Sequence, residues 1–316
     1  MASPGLPQTR PDGASRGGEP TRRRRFAARL GRAATPLAVF YVLLWASAYV
    51  PSKIGAVAAP PLWFLVARFL CAGVVMALVA LALRRPFPRR VEQWLVYGAL
   101  GLLANAAYLG LTYTALSRGL EAGIGSIVAS TNPLILAIVA PRLLGEPLTW
   151  RKSLGLALGF GGVVGVMLAR TGTTSARPSE VGLALIGVTS NVASTILFKR
   201  ARGSTDLLAI NTIQLLAAGL ALIPVAALAH GAPTAQLTPA VVWSFVYLVA
   251  VLSVGASLLW FWLLARGAAS RVSAFYFLTP IFGLAFGAAF LGEAIGPFDA
   301  LGLVAVALGI LLVQRA

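Results

Sequence analysis

The sequence predicts an all-α integral membrane protein, ten transmembrane helices arranged as two inverted five-helix repeats. Three observations predict it. The 316 residues are 58% hydrophobic and 11% charged, with a mean hydropathy of +0.84, whereas soluble domains are roughly 45–50% apolar and 25% charged. Ten apolar stretches each approach the roughly 20 residues that cross about 30 Å of hydrocarbon as a helix. The second half of the chain also repeats the first.

Residues 1–33 are rich in Pro, Gly, Ser and Arg without apolar periodicity, and are expected to form a disordered basic cytoplasmic tail. Arg22 to Arg25 before an apolar run, with Ala46-Ser47-Ala48 behind it, also resembles a cleaved export signal. The repeat gives the first helix a counterpart in the second half, so it is read as a permanent span. The ten spans are predicted at 35–56, 60–83, 94–116, 120–141, 150–169, 180–199, 206–229, 239–264, 269–291 and 295–313. Turn chemistry separates them, as in Arg85-Pro86-Phe87-Pro88, Gly145-Glu146-Pro147, His230-Gly231-Ala232-Pro233 and Gly296-Pro297. The first repeat is placed at 34–170 and the second at 180–316.

Charge supports the count. If the N-terminus is cytoplasmic, 21 of the 26 Lys and Arg residues fall in the tail, in loops after even-numbered spans or at the C-terminal end. Lys53, Arg118, Arg170 and Arg177 lie on the other side, and Arg68 lies within a span. This segregation predicts a multi-pass protein of the cell (inner) membrane with both termini cytoplasmic. The net charge of +17 is therefore read as a topology signal, and nucleic acid is not an expected partner.

Residues 133–169 align without a gap on 280–316, and ten of the 37 positions are identical. They include Pro133 with Pro280, Gly145-Glu146 with Gly292-Glu293, Gly155 with Gly302 and Gly162 with Gly309. Upstream, at an offset of 146, Lys53 falls on Lys199 and Ala72-Gly73 on Ala218-Gly219. Five spans per repeat is an odd number, so the second copy crosses in the opposite sense. Inverted repeats around a midplane site are the architecture of secondary transporters.

These residues resemble the drug/metabolite transporter superfamily, in its ten-helix form with two EamA domains. The resemblance covers about residues 35–316, carried by Trp45-Ala-Ser-Ala-Tyr-Val-Pro-Ser-Lys53, Arg68-Phe69 with Ala72, and the twin Pro-x11-Gly-Glu stretches from Pro133 and Pro280. It implies a substrate cavity between the halves and, for bacterial members, frequent export of amino acids or related metabolites. Sugar-phosphates, nucleotide-type metabolites and drugs are the alternative substrates. Family members usually carry Trp-Gly in the first motif, where this chain has Trp45-Ala46.

Within the spans, Trp45, Asn105, Tyr108, Asn132, Asn191, Trp260 and Tyr276 are the cavity candidates, on the helices that the resemblance places around the cavity. Pro133 and Pro280 are expected to kink the fourth and ninth spans near their middles, freeing the carbonyls of Ala129 and Tyr276. Arg68 is an intramembrane charge that either attracts an anionic group or ties helices by bonding helix-end carbonyls. Glu146 and Glu293 each follow a helix-ending glycine and are read as carboxylates near the positive end of the next helix. Lys53 and Lys199 are read as interfacial anchors.

One histidine, one cysteine and no carboxylate pair inside a span argue against a membrane-embedded enzyme and against any metal site, and no cofactor is expected. A channel does not need the inverted duplication. The lack of an acidic residue deep in a span points to facilitated transport or exchange, or to proton coupling through the substrate or a helix-end Glu. The expected partners are a small-molecule substrate and the lipid bilayer, with a homodimer to be tested.

Overall fold

A computed structural model describes residues 36–143, 149–170, 177–201, 205–234, 236–265 and 278–315. The tail at 1–33, Glu146 and Tyr276 lie outside them. Among the described residues there is helix and turn and no strand.

Helix α1 spans Pro36–Ala58. Pro51 brings no N–H for the carbonyl of Ser47, and the helix loosens to a turn at Ala48, whose N–H reaches Trp45 at 3.2 Å. Helix α2, Pro61–Ala82, starts on a proline, where the missing donor costs nothing. It closes where Arg84 turns left-handed at φ 50° and Arg85 bonds back to Ala80 at 2.8 Å. Helix α3, Val91–Ser117, contains a π-helical stretch at Leu102–Ala107. Helix α4 consists of two segments, Ala122–Ala129 and Asn132–Leu143. Helix α5 is Trp150–Arg170, α6 Pro178–Arg200 and α7 Leu207–His230. Helix α8 runs from Pro239–Val246 through a π-helical stretch, Tyr247–Ala256, into Ser257–Ala265. Helices α9, Thr279–Leu291, and α10, Pro297–Gln314, complete the described chain.

Each predicted span contains one of these helices, and among the described residues seven are long and apolar enough to cross a membrane on length and composition alone. Pro133 acts differently from the expectation. The helix does not bend around it but stops before it: Thr131 donates to Val128 at 3.0 Å, and Pro133 opens the first turn of a new segment. Pro280 likewise occupies the first turn of α9. A proline is well tolerated there, since the first-turn N–H groups have no helical acceptor.

The packing is its own image when each helix number is raised by five. Helices α2 and α7 pack together, as do α4 with α9 and α5 with α10, while the pair α3 and α6 is matched by α8 and α1. The glycines give the detail. A methyl on Gly73 would meet Leu216 at 2.7 Å, and one on Gly219 would meet Leu70 at 2.8 Å. On α5 and α10, a methyl on Gly155 would strike the Gly309 carbonyl at 2.7 Å and one on Gly302 the Gly162 carbonyl at 2.8 Å. Both contacts are reciprocal and run antiparallel, so the two-fold axis relating the halves lies across the helices, in the membrane plane. The halves are therefore inverted, and small residues let their backbones touch without help from water.

Outward faces carry large apolar side chains, among them Leu228, Trp243 and Phe290, each at least 70% exposed. Such a surface suits lipid and not water.

Candidate functional site

The two π-helical stretches mark corresponding places. The repeat offset of 147 carries residues 102–107 onto 249–254, inside Tyr247–Ala256. A π turn loosens the hydrogen-bond ladder and presents backbone to neighbours, and it recurs at functional sites. Here helix α6 supplies partners: Ser190 and Ser194 donate to the Leu103 and Leu100 carbonyls at 3.0 and 3.2 Å. The second stretch faces α1, where Ser47 Oγ and the Tyr247 hydroxyl are 2.6 Å apart.

Arg68 joins four helices. Its side chain is 7% exposed. Nη1 donates to the Tyr113 hydroxyl at 2.9 Å and Nε to Ser253 Oγ at 3.2 Å, while the Tyr113 hydroxyl donates to Ser52 Oγ at 2.9 Å. The guanidinium carbon stands 5.9 Å from the Phe69 ring centroid. The partners are side-chain hydroxyls on α1, α3 and α8, not the helix-end carbonyls expected from sequence. None of the three was singled out as its partner, because residues 16, 45 and 185 positions away share no local pattern. A tyrosine deep in an apolar span was the available signal, since it needs a partner for its hydroxyl.

Of the cavity candidates, Trp45 and Trp260 are brought together by a residue that was missed. The Tyr41 ring stacks on Trp260 at 5.4 Å and on Trp45 at 6.3 Å, forming an aromatic wall from α1 to α8. Tyr108 is buried on α3 and hydrogen-bonds Tyr49 of α1. Asn105 lies in the first π stretch, Asn132 begins the second segment of α4 and Asn191 lies on α6, all partly exposed. Helix α6 packs against the π stretch and both segments of α4, so the three asparagines sit on adjoining helices. No hydrogen bond joins them among the described residues.

Glu293 departs from its expected role. Gly292 does end α9 in the left-handed conformation, φ 67°, but the carboxylate reaches across the repeat interface to α4. Oε1 accepts from Ala122 N–H at 2.6 Å and Oε2 from Gly123 N–H at 2.8 Å. The first turn of α4 needs this, because Glu121 at its N-cap makes no side-chain cap bond. Helix α10, the next in sequence, is capped by Asp299, which accepts from Gly296 N–H at 2.7 Å. Beside this junction Lys53 is no simple anchor: its Nζ donates to the last carbonyls around α3, Leu116 at 2.7 Å and Leu120 at 2.6 Å. One end of the bundle is thus fastened by a carboxylate on helix N–H groups and an ammonium on helix carbonyls, the pairing that helix dipoles favour.

Two inverted five-helix halves, lipid-facing on the outside and lined with hydroxyl, amide and aromatic groups where they meet, define a multi-pass membrane transporter. The chain belongs to the EamA-like transporter family, matching it over residues 33–168 and 178–315. It is 28% identical over 281 residues to the uncharacterized transporter YvbV of Bacillus subtilis, covering 88% of this chain and 90% of that protein. It is 26% identical over 282 residues to a protein of Streptantibioticus cattleyicolor named as a probable terminal-alkyne amino-acid exporter, covering 88% and 92%. A solved crystal structure at 20% identity superposes with a TM-score of 0.62 over 89% of this chain and 96% of that one, a likeness of fold.

Proposed function

We propose that this transporter is a secondary carrier that moves a small metabolite, an amino acid or a related compound, outward across the plasma membrane by alternating access. The observation that carries the reading is the reciprocal antiparallel contact of α2 with α7 and of α5 with α10. Two halves of like build, inverted about an in-plane axis, have two packings of similar energy that open to opposite sides. The name of the Streptantibioticus relative supports the substrate class, and the segregation of Lys and Arg supports cytoplasmic termini.

In this reading the solute sits between the aromatic wall of Tyr41, Trp45 and Trp260 and the polar groups Asn105, Tyr108, Asn132 and Asn191. A mostly apolar pocket with a few placed polar groups suits an amphipathic solute. The break before Pro133 and the helix start at Pro280 supply the flexing points, with the second segment of α4 moving against α6. The test is counterflow in proteoliposomes: vesicles loaded with each of the twenty amino acids in turn and given the labelled form outside. Transient accumulation of at least one is the expected result. Accumulation of none, with sealed vesicles and correctly inserted protein, refutes the amino-acid reading.

A further inference from the structure

Arg68 carries a charge that the described protein does not balance. Its recorded partners are the hydroxyls of Tyr113 and Ser253 and the face of Phe69. Among the described residues the acidic groups are engaged elsewhere: Glu293 on the α4 N-terminus, Asp299 on Gly296, Asp206 on Leu208 and Arg85, Glu180 with Ser179. Glu92 lies in the first turn of α3 and Glu121 at the start of α4. A guanidinium has five donors in a planar fork that matches a carboxylate, and two of its nitrogens are held here. Buried charges are ordinarily paired with an opposite charge.

A cavity of about 500 Å³ opens where α1 ends and α2 begins, lined by residues 56–61 with Ser117, Thr234 and Gln236. Ser52 and Tyr113 stand one helical turn beneath Ala56 and Ser117, about 6 Å deeper at 1.5 Å per residue. Phe64 comes one turn before Arg68 on α2. Its ring stacks on Tyr113 at 6.1 Å, meets Phe245 edge-on at 5.7 Å and fills the space beside Gly55, where a methyl would approach it at 2.5 Å. Phe64 therefore packs directly on the tyrosine that holds the guanidinium.

We propose that Arg68, steadied by Tyr113 and Ser253, receives the carboxylate of a small solute that enters from the cavity at this end. Its biological role as a substrate subsite rests on the carrier reading above. The site itself is testable without transport.

Full-length protein in detergent is melted with isobutyrate and, separately, with isobutyramide, which has the same shape and no charge. Ligand bound only by the folded state raises the melting temperature. Wild type is expected to gain about 3 °C or more from saturating isobutyrate and almost nothing from isobutyramide. Arg68→Gln is expected to abolish the difference, and Arg68→Lys and Tyr113→Phe to weaken isobutyrate about tenfold by spoiling the fork. No response of wild type to isobutyrate, an equal response to the amide, or an unchanged response in Arg68→Gln overturns the proposal. Should Arg68→Gln fail to fold, undiminished isobutyrate affinity in both Arg68→Lys and Tyr113→Phe overturns it instead. Amino-acid counterflow on the same preparations separates the two ideas. Absent counterflow with an intact isobutyrate response defeats the amino-acid reading alone, and counterflow that Arg68→Lys leaves untouched defeats the substrate role of the site.

Discussion

Replacing Glu293 by Ala removes the acceptors of two backbone donors on another helix, and the cost can be worked from the geometry. Its oxygens lie 2.6 and 2.8 Å from Ala122 and Gly123 N–H, short enough for charge-assisted bonds, each of which contributes about 1.5–3 kcal/mol. The carboxylate is only half buried, so water can replace part of the loss, and the lower end applies: about 2–3 kcal/mol for the pair. Local opening of the first turn of α4 should therefore become roughly 30- to 150-fold more frequent, at 1.4 kcal/mol per factor of ten. Hydrogen exchange read by mass spectrometry on a peptide beginning at or before Leu120, so that the Ala122 and Gly123 amides retain their label, measures this directly, alongside the melting temperature. Glu293→Gln, which keeps one oxygen acceptor, should show about half the effect in free energy. Exchange at Ala122 and Gly123 equal to wild type in Glu293→Ala would refute the view that this cross-repeat cap holds the helix.

Gly309→Ala should destabilise by about 1–3 kcal/mol, because its methyl would sit 2.5 Å from the Gly155 carbonyl. Gly161→Ala, with nothing within 4 Å, should be neutral or gain up to about 1 kcal/mol from helix propensity; paired thermal melts compare the two. Arg84→Gly should stabilise by up to about 1 kcal/mol, since the left-handed φ of 50° costs an L side chain but not glycine. Trp260→Ala should lower apparent affinity for a transported amino acid about tenfold by removing the stack on Tyr41, with Trp260→Phe within about threefold. In a Cys71→Ala background, Thr234→Cys should react with an impermeant maleimide in intact cells and Arg89→Cys only after permeabilisation. The reverse pattern overturns cytoplasmic termini.

The helices and their inversion were legible because hydrocarbon thickness and an odd-numbered repeat act on the whole chain at once. Gly155, Gly162, Gly302 and Gly309 could be seen to matter from sequence, but not that 155 meets 309 and 162 meets 302, which requires the antiparallel crossing. Pro133 was legible as a disturbance. Whether it would bend the helix or restart it depended on Ser126, Ser130 and Thr131, whose hydroxyls bond back to Gly123, Ile127 and Val128 at 2.6–2.7 Å and draw the chain into a tighter turn. The partners of Glu293 and Arg68 were out of reach for another reason. A carboxylate reads the same in sequence whether it caps the next helix or one 170 residues earlier, and α10 already had Asp299.

The reciprocal glycine contacts imply something about how much the connection between the halves matters. Gly155 on Gly309 and Gly162 on Gly302 are surfaces that one short polypeptide would offer to a copy of itself lying the other way up, so cohesion resides in the seam and not in the tether. A gene severed between Arg170 and Arg177 and expressed as two fragments should yield pieces that find each other in the bilayer and co-purify, as a dimer of half-length ancestors would have done.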